Sequence, residues 1–232
     1  MKEVDIVIIS WAKDKALEQV TQTGLDTLFA STETLKFNVF VVESNPDVFW
    51  TESPSPHTIQ TLHPKEEFGY HKFLNIGRRA GSAPYVALCN SDLTYEKEWA
   101  EKIISALEKI PTAFSASPWC PQTQGENTPH IGRIYPGYRI RTELAGWCIL
   151  QKREIYEKIG NLDERFKFWY CDNDYAMDLQ SKGIPHILVP DSVVNHHEHV
   201  LGKTGEILSE QEKYEMTMPQ REIFLAKWGG II

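Results

Sequence analysis

The sequence predicts an α/β fold: one domain with a mostly parallel central sheet flanked by helices. Three observations predict it. Short β-branched apolar runs, "VDIVIIS" at Val4–Ser10, "FNVFVVES" at Phe37–Ser44 and "YVALC" at Tyr85–Cys89, read as strands buried on both faces, the kind that parallel sheets use. Helically spaced apolar residues fill the stretches between them, and strands alternating with helices build an open sheet covered on both sides. The chain has 232 residues, 41% apolar and 24% charged. That length suits a domain burying about 70% of the surface its unfolded chain exposes, without help from metals or disulfides.

Each element follows in order. Ala16, Val20, Leu25 and Leu28 predict a helix over 13–30. Pro46, Pro54, Pro56 and Pro64 predict a loop around one short strand, "TIQTL". A helix over 70–80 is stopped by Gly81 and Pro84. "TYEKEWAEKIISALEKI" reads as an amphipathic helix with Trp99, Ile103, Ile104 and Leu107 inward. "FSASP" reads as a strand, and 118–136 as a surface excursion. "LAGWCIL" is the next strand, "KREIYEKIG" and "DNDYAMDLQSKG" are helices closed by Gly160 and Gly183, "HILVP" and "SVVNHH" are short strands, and 209–228 is a final charged helix.

The charge balance excludes some functions. Lys plus Arg number 24 against 32 Asp plus Glu, a net charge of −8, so no general attraction to nucleic acid or anionic lipid is expected. Cys89, Cys120, Cys148 and Cys171 are scattered and form no C-x-x-C pair, which predicts reduced thiols. The start "MKEVDIVIIS" lacks the apolar run of a secretory leader, and no stretch approaches the roughly 18 apolar residues of a membrane span. A cytoplasmic location is the expectation.

In open α/β sheets ligands bind beyond the carboxyl ends of the strands. Those ends supply Ser10, Glu43 and the run Asn90-Ser91-Asp92. Asp92 is either a ligand for a divalent cation or the N-cap of the helix that follows. Asp172 and Asp174, in "FWYCDNDY", are acids for chemistry or the charged first turn of a helix. His196, His197 and His199, in "VVNHHEHV", mark a polar strand end or a metal site. A zinc site is the weaker of these readings, because His197 and His199 share a strand face, His196 points away and no Cys lies nearby.

The order of these motifs resembles family 2 glycosyltransferases, which are inverting enzymes that use nucleotide sugars. "VDIVIIS" with "VFVVESN" resembles the family's first two strands. "FLNIGRRAGSAPYVALCNSDL" resembles its N-x-G-x(3)-A run, strand and D-x-D-type metal motif. "ELAGWCILQKREIYEKIGNLDERFKFWYCDNDYAMDLQSKG" resembles the acceptor-side block, "VPDSVVNHH" the stretch whose His completes the metal site, and "FLAKWGG" the K-W-G tail of some members. The matches run from about residue 4 to residue 200 in the right order.

The resemblance implies a GT-A fold: a single Rossmann-like domain over 1–232. Its nucleotide-sugar-binding half spans about 1–92, its acceptor-side half about 93–200, and a helical tail 201–232. It implies that Asp92 and His196 bind Mn²⁺ or Mg²⁺ on the sugar-nucleotide diphosphate, with His197 and His199 as rivals to His196. Ser10, Trp11 and Glu43 then line the base pocket, Asn75, Asn90 and Ser91 face the donor, and Gly146 and Trp147 line the sugar and acceptor. Asp172 matches the carboxylate base, with Asp174 the alternative. The implied donor is a UDP-sugar and the acceptor is open.

Two positions depart from the family pattern. Asn90 stands where the first acid of the metal motif is usual, leaving Asp92 nearly alone on the metal, and Cys171 stands where Glu often precedes the base. Arg78 and Arg79 either reach the diphosphate or form an exposed helix face, and His71 and Lys72 carry the same two readings. Competing classes are a sugar nucleotidyltransferase and a non-catalytic nucleotide-sugar- or carbohydrate-binding domain. The first usually opens on a Gly-rich basic loop that "SWAKDKAL" lacks. The intact set of Asp92, Asp172 and His196 speaks against the second.

Overall fold

A computed structural model describes residues 1–125, 131–197 and 209–229. In chain order the described residues form β1 (Lys2–Ser10), α1 (Lys15–Ala30), β2 (Leu35–Glu43), β3 (Thr58–Leu62), α2 (Tyr70–Ala80), β4 (Tyr85–Asn90), β5 (Leu93–Tyr95) and α3 (Trp99–Lys109). These are followed by β6 (Ser115–Trp119), β7 (Tyr135–Pro136), β8 (Cys148–Lys152), α4 (Ile155–Ile159), α5 (Cys171–Ser181), β9 (His186–His196) and α6 (Glu210–Trp228). The strands order as β3-β2-β1-β4-β8-β6-β9-β5, with β7 against β9.

The α/β class is as expected. The half of the sheet holding β3, β2, β1 and β4 is parallel throughout. Beyond β4 the sheet is mixed: β8 is antiparallel to both β4 and β6, whereas β6 and β9 are parallel. Alternation of side chains divides the core. Val4, Ile6 and Ile8 of β1 pack with Leu25 and Leu28 of α1 and with Trp99 and Ile103 of α3. Val7 and Ile9 pack on the opposite face, with Phe73 and Leu74 of α2 and with Tyr175 and Leu179 of α5.

Three expected elements change shape. The helix read over 94–110 starts only at Trp99, because Leu93 and Tyr95 alternate inward and pair with β9, Leu93 opposite His196 and Tyr95 opposite Val194. Asp92 therefore stands seven residues before that helix and is not its N-cap. The two short strands near the end are one continuous β9; the register of β6 on β9 shifts between Pro118 and Trp119, and this irregularity accommodates Pro190. The strand read at "LAGWCIL" begins only at Cys148, and 145–147 form a turn leading into it, with Ala145 N donating to Ser117 Oγ and Trp147 O accepting from Asn90 N. Within the expected excursion, 126–130 lies outside the described residues.

A buried polar chain crosses the sheet beneath α5. Tyr156 donates to Gln151 Oε1, Gln151 Nε2 donates to Tyr175 Oη, and Tyr175 donates to Ser115 Oγ at 2.8 Å. Ser115 Oγ lies 2.8 Å from His186 Nδ1, and His186 Nε2 lies 3.1 Å from Glu143 O. With Tyr175 donating to Ser115, the consistent assignment has Ser115 donating to Nδ1 and a neutral His186 donating from Nε2. Burial pushes the His186 pKa down to about 4, against bonding to the Glu143 backbone and the Glu143 charge, which raise it.

A folded pKa below the unfolded one means that acid favours the unfolded chain. The stability held above the unfolded value of 6.5 is lost as pH falls from there to about 4. The expected loss from this group is about 3 kcal/mol across that window. Urea melts between pH 7.5 and 4.5 check it: His186→Gln should flatten the slope, and an unchanged slope would remove His186 as its source.

Candidate active site at the carboxyl edge of the sheet

The carboxyl ends of β1, β2 and β4 open on one edge. Gly24 in α1 lets the Ser91–Leu93 backbone lie against the helix: a Cβ there would come within 2.9 Å of Leu93 O and 3.3 Å of Ser91 O. Asp92, only 2% exposed, follows at once. His197 N donates to Asp92 O at 2.9 Å, which ties the motif to the end of β9 and brings in His196. His196 Nε2 stands 3.3 Å from Asp92 Oδ1 and 3.5 Å from Asn90 Nδ2. Trp147 stacks on the imidazole, with ring centroids 5.4 Å apart and planes 24° apart.

Asn90 links this pair to the acidic helix. Its backbone N donates to Trp147 O at 2.9 Å, and its side-chain Oδ1 accepts from Tyr70 Oη at 2.7 Å. The same hydroxyl lies 3.1 Å from Gly146 O. Burial, with the neighbouring Cys171 and Asp172, pushes the Tyr70 pKa well up, so the phenol stays a donor. Gly146 then meets Asp172: a Cβ on the glycine would lie 2.8 Å from Asp172 Cβ. The sequence motifs thus converge in one chain of contacts, His196–Asp92, Asn90, Tyr70, Gly146 and Asp172.

The two acids of α5 have different surroundings. Burial pushes the Asp172 pKa up, opposed by backbone N–H groups at Asn173 and Asp172 and by the Arg141 charge. A carboxylate with raised proton affinity is better suited to take a proton near neutral pH. Asp174, 3% exposed, is already engaged: its Oδ1 accepts from Trp228 Nε1 at 2.8 Å and pairs with Lys227 Nζ at 2.8 Å.

The remaining expected site residues divide. Trp11 presents an exposed ring beside Ser10, with Lys13 Nζ 5.0 Å from its centroid, while Ser10 is buried 3.3 Å from Thr21 Oγ1. Ser91 is half-buried next to Asp92. Glu43 spends its carboxylate inside the protein, accepting from Ala12 N at 3.0 Å, Asn45 N at 2.8 Å and Trp50 Nε1 at 3.2 Å. It shapes the loop rather than facing a ligand. Asn75 staples α2 to the loop at 162, bonding Leu162 O at 2.9 Å, Leu162 N at 3.1 Å and Glu164 Oε1 at 3.0 Å.

Arg78 is neither an exposed helix residue nor a group at the carboxyl edge. It is buried with its guanidinium 3.7 Å from the Tyr156 ring centroid, and it donates to Asn161. Eight residues along α2 from Tyr70, it lies about 12 Å farther down the helix. Arg79 is exposed, as the second reading expects. His71 is buried, with Nδ1 3.1 Å from Asp163 O. The His197 ring turns to Thr94 Oγ1 at 2.9 Å, away from the Asp92 carboxylate, and His199 lies outside the described residues.

Sequence reasoning missed Tyr70, which aims Asn90 and touches Gly146. The available signal was an aromatic at the first position of a helix following Gly69. A divalent cation fits the residues present. Asp92 Oδ1 is buried without a hydrogen bond; a carboxylate suits Mn²⁺ or Mg²⁺, and an imidazole beside it favours Mn²⁺, a transition metal, over the harder Mg²⁺. Among the described residues no group of three His, Cys, Asp or Glu gathers, so substrate oxygens and water would fill the remaining positions.

Solved structures share this fold. A mannosyltransferase from Pyrobaculum calidifontis, in complex with GDP-Man and Mn²⁺, superposes with TM-score 0.60 at 16% identity, over 83% of this chain and 56% of that one. GalNAc-T7, with UDP, GalNAc and Mn²⁺, gives TM-score 0.64 at 10% identity, over 93% and 50%. The fold is thus that of GT-A glycosyltransferases. The chain belongs to glycosyl transferase family 2, whose sequence model matches residues 6–174. The O-antigen biosynthesis protein RfbC of Myxococcus xanthus is 21% identical over 76% of this chain, and the chain spans only 16% of that protein's length.

Proposed function

We propose that the chain transfers a sugar, with inversion, from a nucleotide diphosphate sugar to an acceptor hydroxyl. Asp172 is the base, and Asp92 with His196 hold a divalent cation against the diphosphate. The observation that carries the reading is the run of contacts from the Asp92–His196 pair through Asn90, Tyr70 and Gly146 to Asp172. It joins the proposed cation-binding pair to a half-buried carboxylate on one sheet edge. Asp172 takes the proton from the acceptor oxygen as that oxygen attacks the anomeric carbon, the route by which a weak nucleophile reacts. Asn90 and Tyr70 hold the intervening wall, and Trp147 fixes the imidazole. When bound, the cation supplies charge stabilisation for the departing diphosphate.

The two GT-A neighbours, one in complex with GDP-Man and Mn²⁺ and the other with UDP, GalNAc and Mn²⁺, support a nucleotide-sugar donor and Mn²⁺, and a UDP-sugar is the donor we favour. The O-antigen relative supports a glycan hydroxyl as acceptor. A thermal-shift screen with UDP-, GDP- and TDP-sugars, with and without Mn²⁺, followed by assay of nucleoside diphosphate release, tests the proposal. One donor should stabilise the protein with Mn²⁺ and be turned over; neither binding nor release with any of them would defeat it.

A further inference from the structure

α6 lays one face on the segment that leads to Asp172. Gln220, Phe224, Lys227 and Trp228 are spaced i, i+4, i+7 and i+8, a single stripe of an α-helix. Gln220 Oε1 accepts from Lys167 N at 2.7 Å. Phe224 packs edge-on to Phe166 with centroids 6.5 Å apart, and on Tyr170 at 5.2 Å. Lys227 Nζ sits 3.0 Å from Asp163 Oδ2 and 2.8 Å from Asp174 Oδ1, and Trp228 Nε1 donates to Asp174.

Every one of these contacts falls between Asp163 and Asp174, the stretch that carries Asp172 in its last turn. Tyr170, immediately before α5, has φ 61°, a left-handed conformation that a tyrosine keeps only where its neighbours impose it.

We propose that Lys227 is a positioning residue for Asp172: by clamping Asp163 and Asp174 together, it sets the first turn of α5, so the last turn of α6 belongs to the active site. This rests on the reading of Asp172 as the base. The arrangement has an electrostatic logic. Asp174 is buried, and without Lys227 two carboxylates would face each other with Trp228 and Arg165 as their remaining partners. Burial favours a neutral Lys227, yet its bonds to Asp174 and Asp163 hold the ammonium above its ordinary pKa. The clamp also leaves Asp174 committed, so that one acid of the pair is free for chemistry.

The test compares Lys227→Met and Lys227→Arg in the intact chain, with Trp228→Phe as a milder probe should the Met variant not fold. In Lys227→Met, kcat should fall by about 100-fold while donor Kd and acceptor KM stay within about twofold, the pattern of a displaced catalytic group. Lys227→Arg should restore most of the loss, because a guanidinium can bond both carboxylates. Amide hydrogen exchange over 163–174 should rise in Lys227→Met. A lowered melting temperature with kcat unchanged, or a rise in KM alone, would overturn the assignment. Should the wild type transfer no sugar, the base reading fails and the positioning role fails with it; unchanged exchange would defeat the clamp itself, whatever the turnover.

Discussion

Asp172→Asn is expected to lower kcat by about 10²- to 10⁴-fold, the range that a positioned general base contributes. The substitution keeps the shape that Gly146 accommodates and removes only the capacity to accept a proton. The pH profile should identify the residue. Burial raises the Asp172 pKa above its ordinary value of 3.8. Because the base works deprotonated, activity must fall as pH drops through that raised pKa, so the acid limb of kcat/KM lies above the usual carboxylate range. The limb should vanish in Asp172→Asn and persist in Asp174→Asn, since Asp174 is held by Lys227 and Trp228. Near-wild-type turnover in Asp172→Asn would return the base to Asp174 or to another group.

Asp92→Ala should cost about 10²- to 10³-fold in turnover, the scale of losing one group that stabilises charge developing in the transition state. Isothermal titration of Mn²⁺ in the presence of UDP gives the direct measurement, and cation binding should disappear. The melting temperature without Mn²⁺ reads the structural cost separately, because the Asp92 Oδ1–His196 Nε2 approach at 3.3 Å is lost with the side chain. Asn90 cannot replace the lost charge. His196→Ala should weaken cation binding less, as its imidazole contributes a neutral donor. Undiminished Mn²⁺ affinity in Asp92→Ala would refute the Asp92–His196 site.

Much of the fold was legible because the signals were local. β1, β2 and β4 appear as apolar runs and β3 as a short strand between prolines, α2 spans the residues that Gly81 and Pro84 delimit, and Gly160 and Gly183, both at positive φ, end the turns after α4 and α5 as read. Failure came where long-range pairing overrode a local pattern. Leu93–Tyr95 carries residues compatible with the start of a helix, yet pairing with β9 draws it into a strand. Pro190 reads as a break, yet a shift in register carries β9 past it.

The site divides in the same way. The acids and histidines could be named from their order along the chain, but the function of each depends on contacts across the sheet. Glu43 is consumed by Ala12, Asn45 and Trp50, Asn75 by the loop at 162–164, and Arg78 by Tyr156 and Asn161, and apart from Asn45 and Trp50 these partners lie far away in sequence.

By itself, then, the sequence determined the α/β class, the parallel half of the sheet and the set of polar residues at strand ends, because alternation, periodicity and turn chemistry act over a few residues. Only the tertiary structure decided that Asp92 is not a helix cap, that His196 rather than His197 faces it, and that Lys227 occupies Asp174 and leaves Asp172 open. Those outcomes depend on which distant groups satisfy each buried polar atom, and that pairing exists only once the chain has closed around it.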